Sequence, residues 1–366
     1  MKPAVRYTLW TLMWCGVVAV VVYAAMLRDA VRGKMVVQRV EVEVADSSAL
    51  GYLVTADKVL EWIAKEGIKT EGEQIDRVET QRIERLIERD GFVQRAVAYV
   101  TSDGTLSIRL AQRDPVFRLL GDGRNAYVTK DAFTFLAPPS TSVYVPVVTG
   151  TYQPPFPRDY SGCVRAEIDR QISDLSLRIS HLEKSKRPHY QWMLNYRDSM
   201  RQERRRFIKR RWWMAETEEE FEQRIVSLRD EKKQNRRRFR YMRNLYQDSV
   251  QHITHRQESH RREQKKLEKN YEDFIKLLTF VEYVENDAFW RSEVVQIVAH
   301  STPAGSLEVD LVPRSGKFTI RFGRLDGVER KFDRLARFYR QGLSRIGWDA
   351  FRSIDVRYDN QVICKR

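Results

Sequence analysis

A chain of 366 residues with a formal net charge of +15 has room for two or three domains, and its charge is unevenly placed. Residues 158–273 carry 30 Lys and Arg against 20 Asp and Glu, so most of the surplus sits in one block. Three cysteines exclude a disulfide framework, and their spacing resembles no zinc site; Cys163 and Cys364 remain a conceivable pair.

The run Leu9–Leu27, LWTLMWCGVVAVVVYAAML, is uninterrupted and apolar, with Lys2 and Arg6 before it and Arg28 and Arg32 after it. About twenty such residues, at about 1.5 Å each, cross a hydrocarbon layer as one helix. A cleavable signal peptide, cut after Val22-Tyr23-Ala24, is the competing reading. The run is longer than a signal core, and Trp10, Trp14 and Tyr23 sit near its ends as interfacial residues do. It reads as an uncleaved transmembrane helix, residues 9–27, behind a tail of residues 1–8. Charge does not orient it, because Arg28, Arg32 and Lys34 match the positives of the tail.

Met35–Val44 alternates apolar and polar residues, the period of a half-buried strand. Thr55 reads as the N-cap of a helix with Val59, Leu60, Trp62 and Ile63 inside and Gly67 as its stop. A second helix is predicted from Arg77 to Arg89, with Ile83, Leu86 and Ile87 on one face. Strands Phe92–Thr101 and Thr105–Ala111 follow, joined by Ser102-Asp103-Gly104, a strong hairpin signal. This β-α-α-β-β order resembles a POTRA domain, placed at residues 35–113.

Three runs sharpen the resemblance: Gly91-Phe92-Val93-Gln94-Arg95-Ala96, then Asp103-Gly104-Thr105-Leu106-Ser107-Ile108, then Gln112-Arg113-Asp114-Pro115-Val116. Together they resemble the POTRA end of the bacterial cell-division family FtsQ (DivIB). Val143–Gly150 is similar to the Bacteroides type of that family. Short strands at Phe117–Leu120 and Asn125–Val128 belong with it, and Pro154-Pro155-Phe156-Pro157 marks a boundary. After the arm, the resemblance returns at Asp287-Ala288-Phe289-Trp290 and Val295-Gln296-Ile297-Val298. Strands Leu307–Arg314 and Phe318–Phe322 follow, then an amphipathic helix through Phe332, Leu335, Phe338 and Leu343. The last strand is predicted over Ile354–Tyr358, with a turn or bulge at Asp359-Asn360 before Gln361–Lys365.

The expected fold is thus α+β: one N-terminal transmembrane helix, a POTRA domain, and a mixed α/β-sheet β-domain (residues 114–157 and 274–366). A basic, coiled-coil-like helical arm, residues 158–273, interrupts the β-domain. In the arm, Ile168, Ile172, Leu175, Ile179 and Leu182 recur at 4-3-4-3 spacing. Pro188 is expected to interrupt that stripe, with a second helical piece holding Tyr190, Leu194, Phe207 and Ile208. Thr217–Glu220 reads as a capping box. Phe221, Ile225, Leu228, Phe239, Met242, Tyr246 and Ile253 then share one register, carried through Arg256, His260 and Glu263 to Leu267 and Phe274. The family resemblance explains nothing about this arm.

No nucleophile elbow, P-loop, dinucleotide turn or paired metal-ligand motif is present, so no enzyme, cofactor or metal is expected. Five of the six histidines lie in the arm without a third ligand at metal spacing. The basic-aromatic patch Arg204, Arg205, Arg206, Lys209, Arg210, Arg211, Trp212 and Trp213 suits an anionic membrane surface or an acidic partner, or else is a solvated helix face. A membrane-tethered nucleic-acid binder is a further reading, which requires the bulk of the chain to be cytoplasmic. The resemblance places that bulk in the periplasm, with the tail in the cytoplasm and the protein in the inner membrane at the division septum, where no nucleic acid is expected. It also implies recruitment of single-pass division proteins of the FtsB and FtsL type, and of other septal membrane proteins, on the last strand. The matching residues are Asp355, Val356, Arg357, Tyr358, Gln361 and Val362. The alternative is a POTRA-bearing envelope assembly factor acting by strand addition.

Overall fold

The computed structural model of the protein describes residues 10, 13–24, 26, 35–45, 50–138, 142–211, 213–303, 305–359 and 361–366. Residues 13–24 form α1, an apolar helix with exposed side chains. Among the described residues no helix is long and apolar enough to cross a membrane, and the rest of the Leu9–Leu27 run, Trp10 and Met26 apart, lies outside them.

The chain divides into two compact units. The first holds residues 1–153, 157–163 and 276–366; the second holds 154–156 and 164–275.

Within the first unit, β1 (Arg39–Val44), α2 (Ala56–Lys65), α3 (Thr80–Ile87), β2 (Val93–Val100) and β3 (Thr105–Gln112) give the POTRA order. Their sheet runs β1-β3-β2, with β1 parallel to β3. The first strand is shorter than its apolar pattern, because Val36 makes only a single bridge to Gln74. Val59 and Ile63 of α2 and Ile83 and Ile87 of α3 are buried against the sheet, whereas Leu60, expected inside, is exposed. Thr55 occupies the N-cap position, but its hydroxyl makes no capping bond. Gln112 does that tethering instead, its buried side-chain oxygen accepting from the amides of Leu53 (2.7 Å) and Val54 (2.9 Å). A single turn of 3₁₀ helix, Ile75–Arg77, takes up the start predicted for the second helix. The hairpin closes as its residues require: Gly104 has φ +80°, and Asp103 accepts from the Thr105 amide at 3.2 Å.

The remainder of this unit is a ten-stranded sheet ordered β13-β12-β11-β10-β9-β7-β4-β5-β6-β8. Its first half is β4 (Pro115–Gly121), β5 (Arg124–Thr129), β6 (Phe133–Leu136), β7 (Val147–Gly150) and β8 (Gly162–Cys163). Its second half is β9 (Val294–Ser301), β10 (Leu307–Pro313), β11 (Thr319–Gly323), β12 (Ser353–Asp355) and β13 (Ile363–Lys365). The halves meet where β7 runs parallel to β9, Val148 opposite Ile297, with the Gln296 amide donating to Thr149 Oγ1 at 2.6 Å. Helices α6 (Ala288–Glu293) and α7 (Val328–Phe338), continued by a π-helical turn over Tyr339–Leu343, also belong to this unit. Buried Trp290, Phe332, Leu335 and Leu343 form part of its core.

The POTRA sheet is fastened to the large sheet by an aromatic cluster. Phe92 lies 5.0 Å from Phe135 and 5.5 Å from Tyr127, ring centre to ring centre. Gly91 is required there, since a Cβ would fall 2.1 Å from the Phe135 ring. Arg113 stacks over Phe133 at 3.7 Å and donates to the Gly91 and Val93 carbonyls.

In the second unit, α4 (Val164–Arg205) pairs antiparallel with the portion of α5 (Glu218–Asn286) that belongs to that unit. At about 1.5 Å per residue, the 42 residues of α4 reach ~63 Å. Pro188 does not interrupt it. The proline removes one backbone bond, but the helix is held on both sides of it. The Lys186 amine reaches Gln257, and Trp192 stacks on Tyr246 at 3.9 Å. The inward register therefore passes through the proline, to Tyr196 and Met200, while Tyr190 and Leu194 face solvent. Phe207 and Ile208 lie beyond the helix end. The capping box forms: the Thr217 amide donates to Glu220 (3.1 Å), and the Glu220 amide to the Thr217 hydroxyl (3.4 Å). Beyond Ile253 the inward positions are Gln257 and Gln264, not Arg256 and Glu263, which are exposed. Gln257 donates to the Ile179 carbonyl (3.2 Å) and Glu183 (2.9 Å); Gln264 donates to the Ile172 carbonyl (3.1 Å) and the Ser176 hydroxyl (2.8 Å).

Candidate partner-binding edges

Strand β12 is not the edge of the large sheet. It lies between β11, which it meets in parallel register, and β13, which it meets antiparallel with Ile354 opposite Cys364. Of the turn or bulge read at Asp359-Asn360, the structure has the turn: two short antiparallel strands stand with a reversal between them. Asp359 lies in that turn, and Asn360 falls outside the described residues. Asp and Asn favour such turns because their side chains satisfy local backbone groups.

This places the predicted site residues in two environments. Asp355 and Val356 are buried; the Val356 amide donates to the Arg321 carbonyl (3.1 Å), and its own carbonyl accepts from Arg334 (2.9 Å). They support the edge and cannot face a partner. Arg357, Tyr358 and Gln361 are exposed, and Val362 is half-buried. Tyr358 is 47 % exposed, with Arg357 5.9 Å from its ring centre. The strand that ends the sheet is Ile363–Lys365, whose Ile363 and Lys365 side chains are exposed.

Asp355 organises this corner. It accepts from the Arg357 amide (3.0 Å) and takes the guanidinium through Nε (3.0 Å) and Nη2 (2.7 Å). Burial acts to raise its pKa, but the Arg357 side-chain and amide bonds outweigh this and hold the carboxyl below its ordinary value. The Arg357 guanidinium is correspondingly raised, first by the Asp355 bond. Half-burial pushes the Cys364 thiol up.

The POTRA sheet presents a different edge. On β2, the outward amides of Ala96 and Ala98 donate to carboxylates of the neighbouring helix, Glu88 at 3.1 Å and Glu84 at 2.8 Å. Groups that an incoming strand would use are thus already occupied. Nothing in the sequence distinguishes Glu84 and Glu88 from surface helix charges.

In the second unit, the basic patch falls on the end of α4 and the connector to α5. Arg204 and Arg205 close the helix, and Lys209 and Arg211 are exposed in the connector. Arg206 is tied to Glu203 (2.9 Å) and Glu231 (3.0 Å), and Arg210 to Glu218 (2.9 Å). Phe207 is 71 % exposed; Trp213 is also exposed, and Trp212 lies outside the described residues. Among the described residues no group of three His, Cys, Asp or Glu is arranged to hold a metal ion.

Comparison with known families returns two matches. Residues 35–111 match the family described as POTRA-like domain, and residues 242–365 match FtsQ/DivIB, C-terminal related. The two spans cover just over half the chain, and the second begins within α5. No curated protein matches the chain.

Proposed function

Because this chain is an FtsQ/DivIB-type protein, we propose that it is a bitopic, non-enzymatic scaffold of cell division. The run Leu9–Leu27 anchors it in the inner membrane at the septum, with the tail in the cytoplasm and the remaining residues in the periplasm. Its partners are single-pass division proteins of the FtsB and FtsL type and other septal membrane proteins. They add a strand to β13, and Tyr358, Arg357, Gln361 and Val362 supply side-chain contacts beside it. One observation carries this reading: β13 ends the ten-stranded sheet, and no described strand lies outside it.

The test is photo-crosslinking in growing cells from position 363. Capture of a small single-pass division protein is expected, and Tyr358→Ala is expected to lower it about tenfold while leaving the fold intact, as for a large exposed anchor residue. Equal capture by the variant would overturn the assignment. Capture of an outer-membrane precursor would favour the assembly-factor reading, against which the glutamate-capped β2 edge counts. For the arm, exposed Phe207 and Trp213 beside Arg204, Arg205 and Lys209 suit an anionic surface, which in the proposed periplasmic location is that of lipid headgroups.

A further inference from the structure

On the helical side of the β-domain, α6, α7 and the π-helical turn enclose a groove of about 570 Å³. Six aromatic side chains line it: Tyr283, Phe289, Trp290, Tyr339 and Trp348, with the buried ring of Phe332 among them. The rings hold one another. Tyr283 stacks on Phe332 at 5.2 Å, Trp290 meets Tyr339 at 5.6 Å, and Tyr339 meets Trp348 edge-on at 5.5 Å. The inner rings are fixed further down. The Tyr339 hydroxyl donates to buried Glu293 at 3.2 Å, and the Ser315 amide donates to that same carboxylate at 3.3 Å. Phe289 (48 % exposed) and Trp348 (37 % exposed) nevertheless leave much of their surface in water.

The lip of this groove is acidic, in a chain whose net charge is +15. Asp333 is exposed on α7, Glu329 lies one turn before it, and Asp287 caps α6 by accepting from the Phe289 and Trp290 amides. All three carboxylates bear on Tyr283: burial first, then Asp333, Glu329 and Asp287, raise its phenol above the ordinary value. One cation, Arg340, also lines the groove, with its Nε turned back to the Ala336 carbonyl at 3.4 Å.

We propose that this groove is a docking site for an arginine side chain of a partner protein. Electron-rich ring faces attract a guanidinium, and the attraction grows when the cation is partly desolvated. A carboxylate beside the rings adds a charged acceptor for the planar fork. An apolar side chain would draw water off the exposed Asp333 carboxylate and give it no donor in return, and an anion would be repelled. The site is separate from β13 and does not depend on what binds there.

The test uses the full chain in lipid nanodiscs, labelled with fluorotryptophan and followed by fluorine NMR. The probe is the blocked tripeptide glycyl-arginyl-glycine, compared with its citrulline counterpart, which keeps the shape and lacks the charge. Saturable shifts confined to the signals of Trp290 and Trp348, about tenfold weaker for citrulline, are expected. Asp333→Asn should weaken arginine binding about fivefold, and Trp348→Leu should weaken it by a similar factor. Both side chains are exposed, so the remaining tryptophan signals report that the fold is kept. Equal affinity for citrulline, no effect of either substitution, or shifts spread over all eight tryptophans would overturn the proposal.

Discussion

At the scale of single residues, Asp355 shows how a buried side chain can hold a sheet corner in shape. Its bonds to Arg357 favour the ionised carboxylate in the folded state, so its folded pKa lies below its ordinary value of 3.8. A depressed carboxylate stabilises the fold above its unfolded pKa, and that contribution is lost as pH falls through the folded value. Urea unfolding of the wild type is therefore expected to weaken progressively below about pH 4, measured by the midpoint. Asp355→Asn should cost about 1–3 kcal/mol at pH 7 and remove this part of the acid dependence. An unchanged midpoint at pH 7 would mean that the corner is held by the strand pairing alone.

At the scale of elements, the arm carries a polar seam that its sequence concealed. Lys186 is buried beside Gln257 and lies 3.4 Å from Glu183. Gln257→Leu removes the acceptor of that amine and the donor to the Ile179 carbonyl, and is expected to cost about 1–3 kcal/mol in the full chain. The double variant Lys186→Met with Gln257→Leu should lose less than the single one, because it leaves no buried amine short of the Gln257 acceptor, with only Glu183 at 3.4 Å beside it. Thermal melts followed by helical circular dichroism check both. The POTRA helices and hairpin were legible because their signals are local: apolar residues at helical spacing, and Asp103-Gly104 in the turn. The arm was legible only as far as its apolar residues ran. Taking Pro188 as a break restarted the register out of phase, and extending a strict heptad past Ile253 put Arg256 where Gln257 belongs. What fixes those positions is bonding across the helix pair, which spacing within one helix does not record.

At the scale of the molecule, strand order decides questions that composition leaves open. Cys163 lies on β8 and Cys364 on β13, the two ends of the large sheet. With eight strands between them and about 4.8 Å per step, they are too far apart for a disulfide. Treatment of the folded protein with a mild oxidant is expected to give no Cys163–Cys364 cross-linked peptide by mass spectrometry. The candidate binding edge was missed for a related reason. The sequence marks a turn or bulge at Asp359-Asn360, but only pairing decides between them and shows that β13 covers β12. The capped β2 edge was invisible too, since Glu84 and Glu88 matter through amides on a different element.

The junction of β7 with β9 gives the chain an unusual itinerary as it is made. β7 is finished roughly 140 residues before its neighbour exists, a delay of about 7–30 s at ordinary synthesis rates. Throughout that interval the early strands wait with one flank open to any passing polypeptide. The antiparallel course of α4 and α5 shortens the search at its end: what departs along one helix returns along the other, delivering β9 near its waiting neighbour.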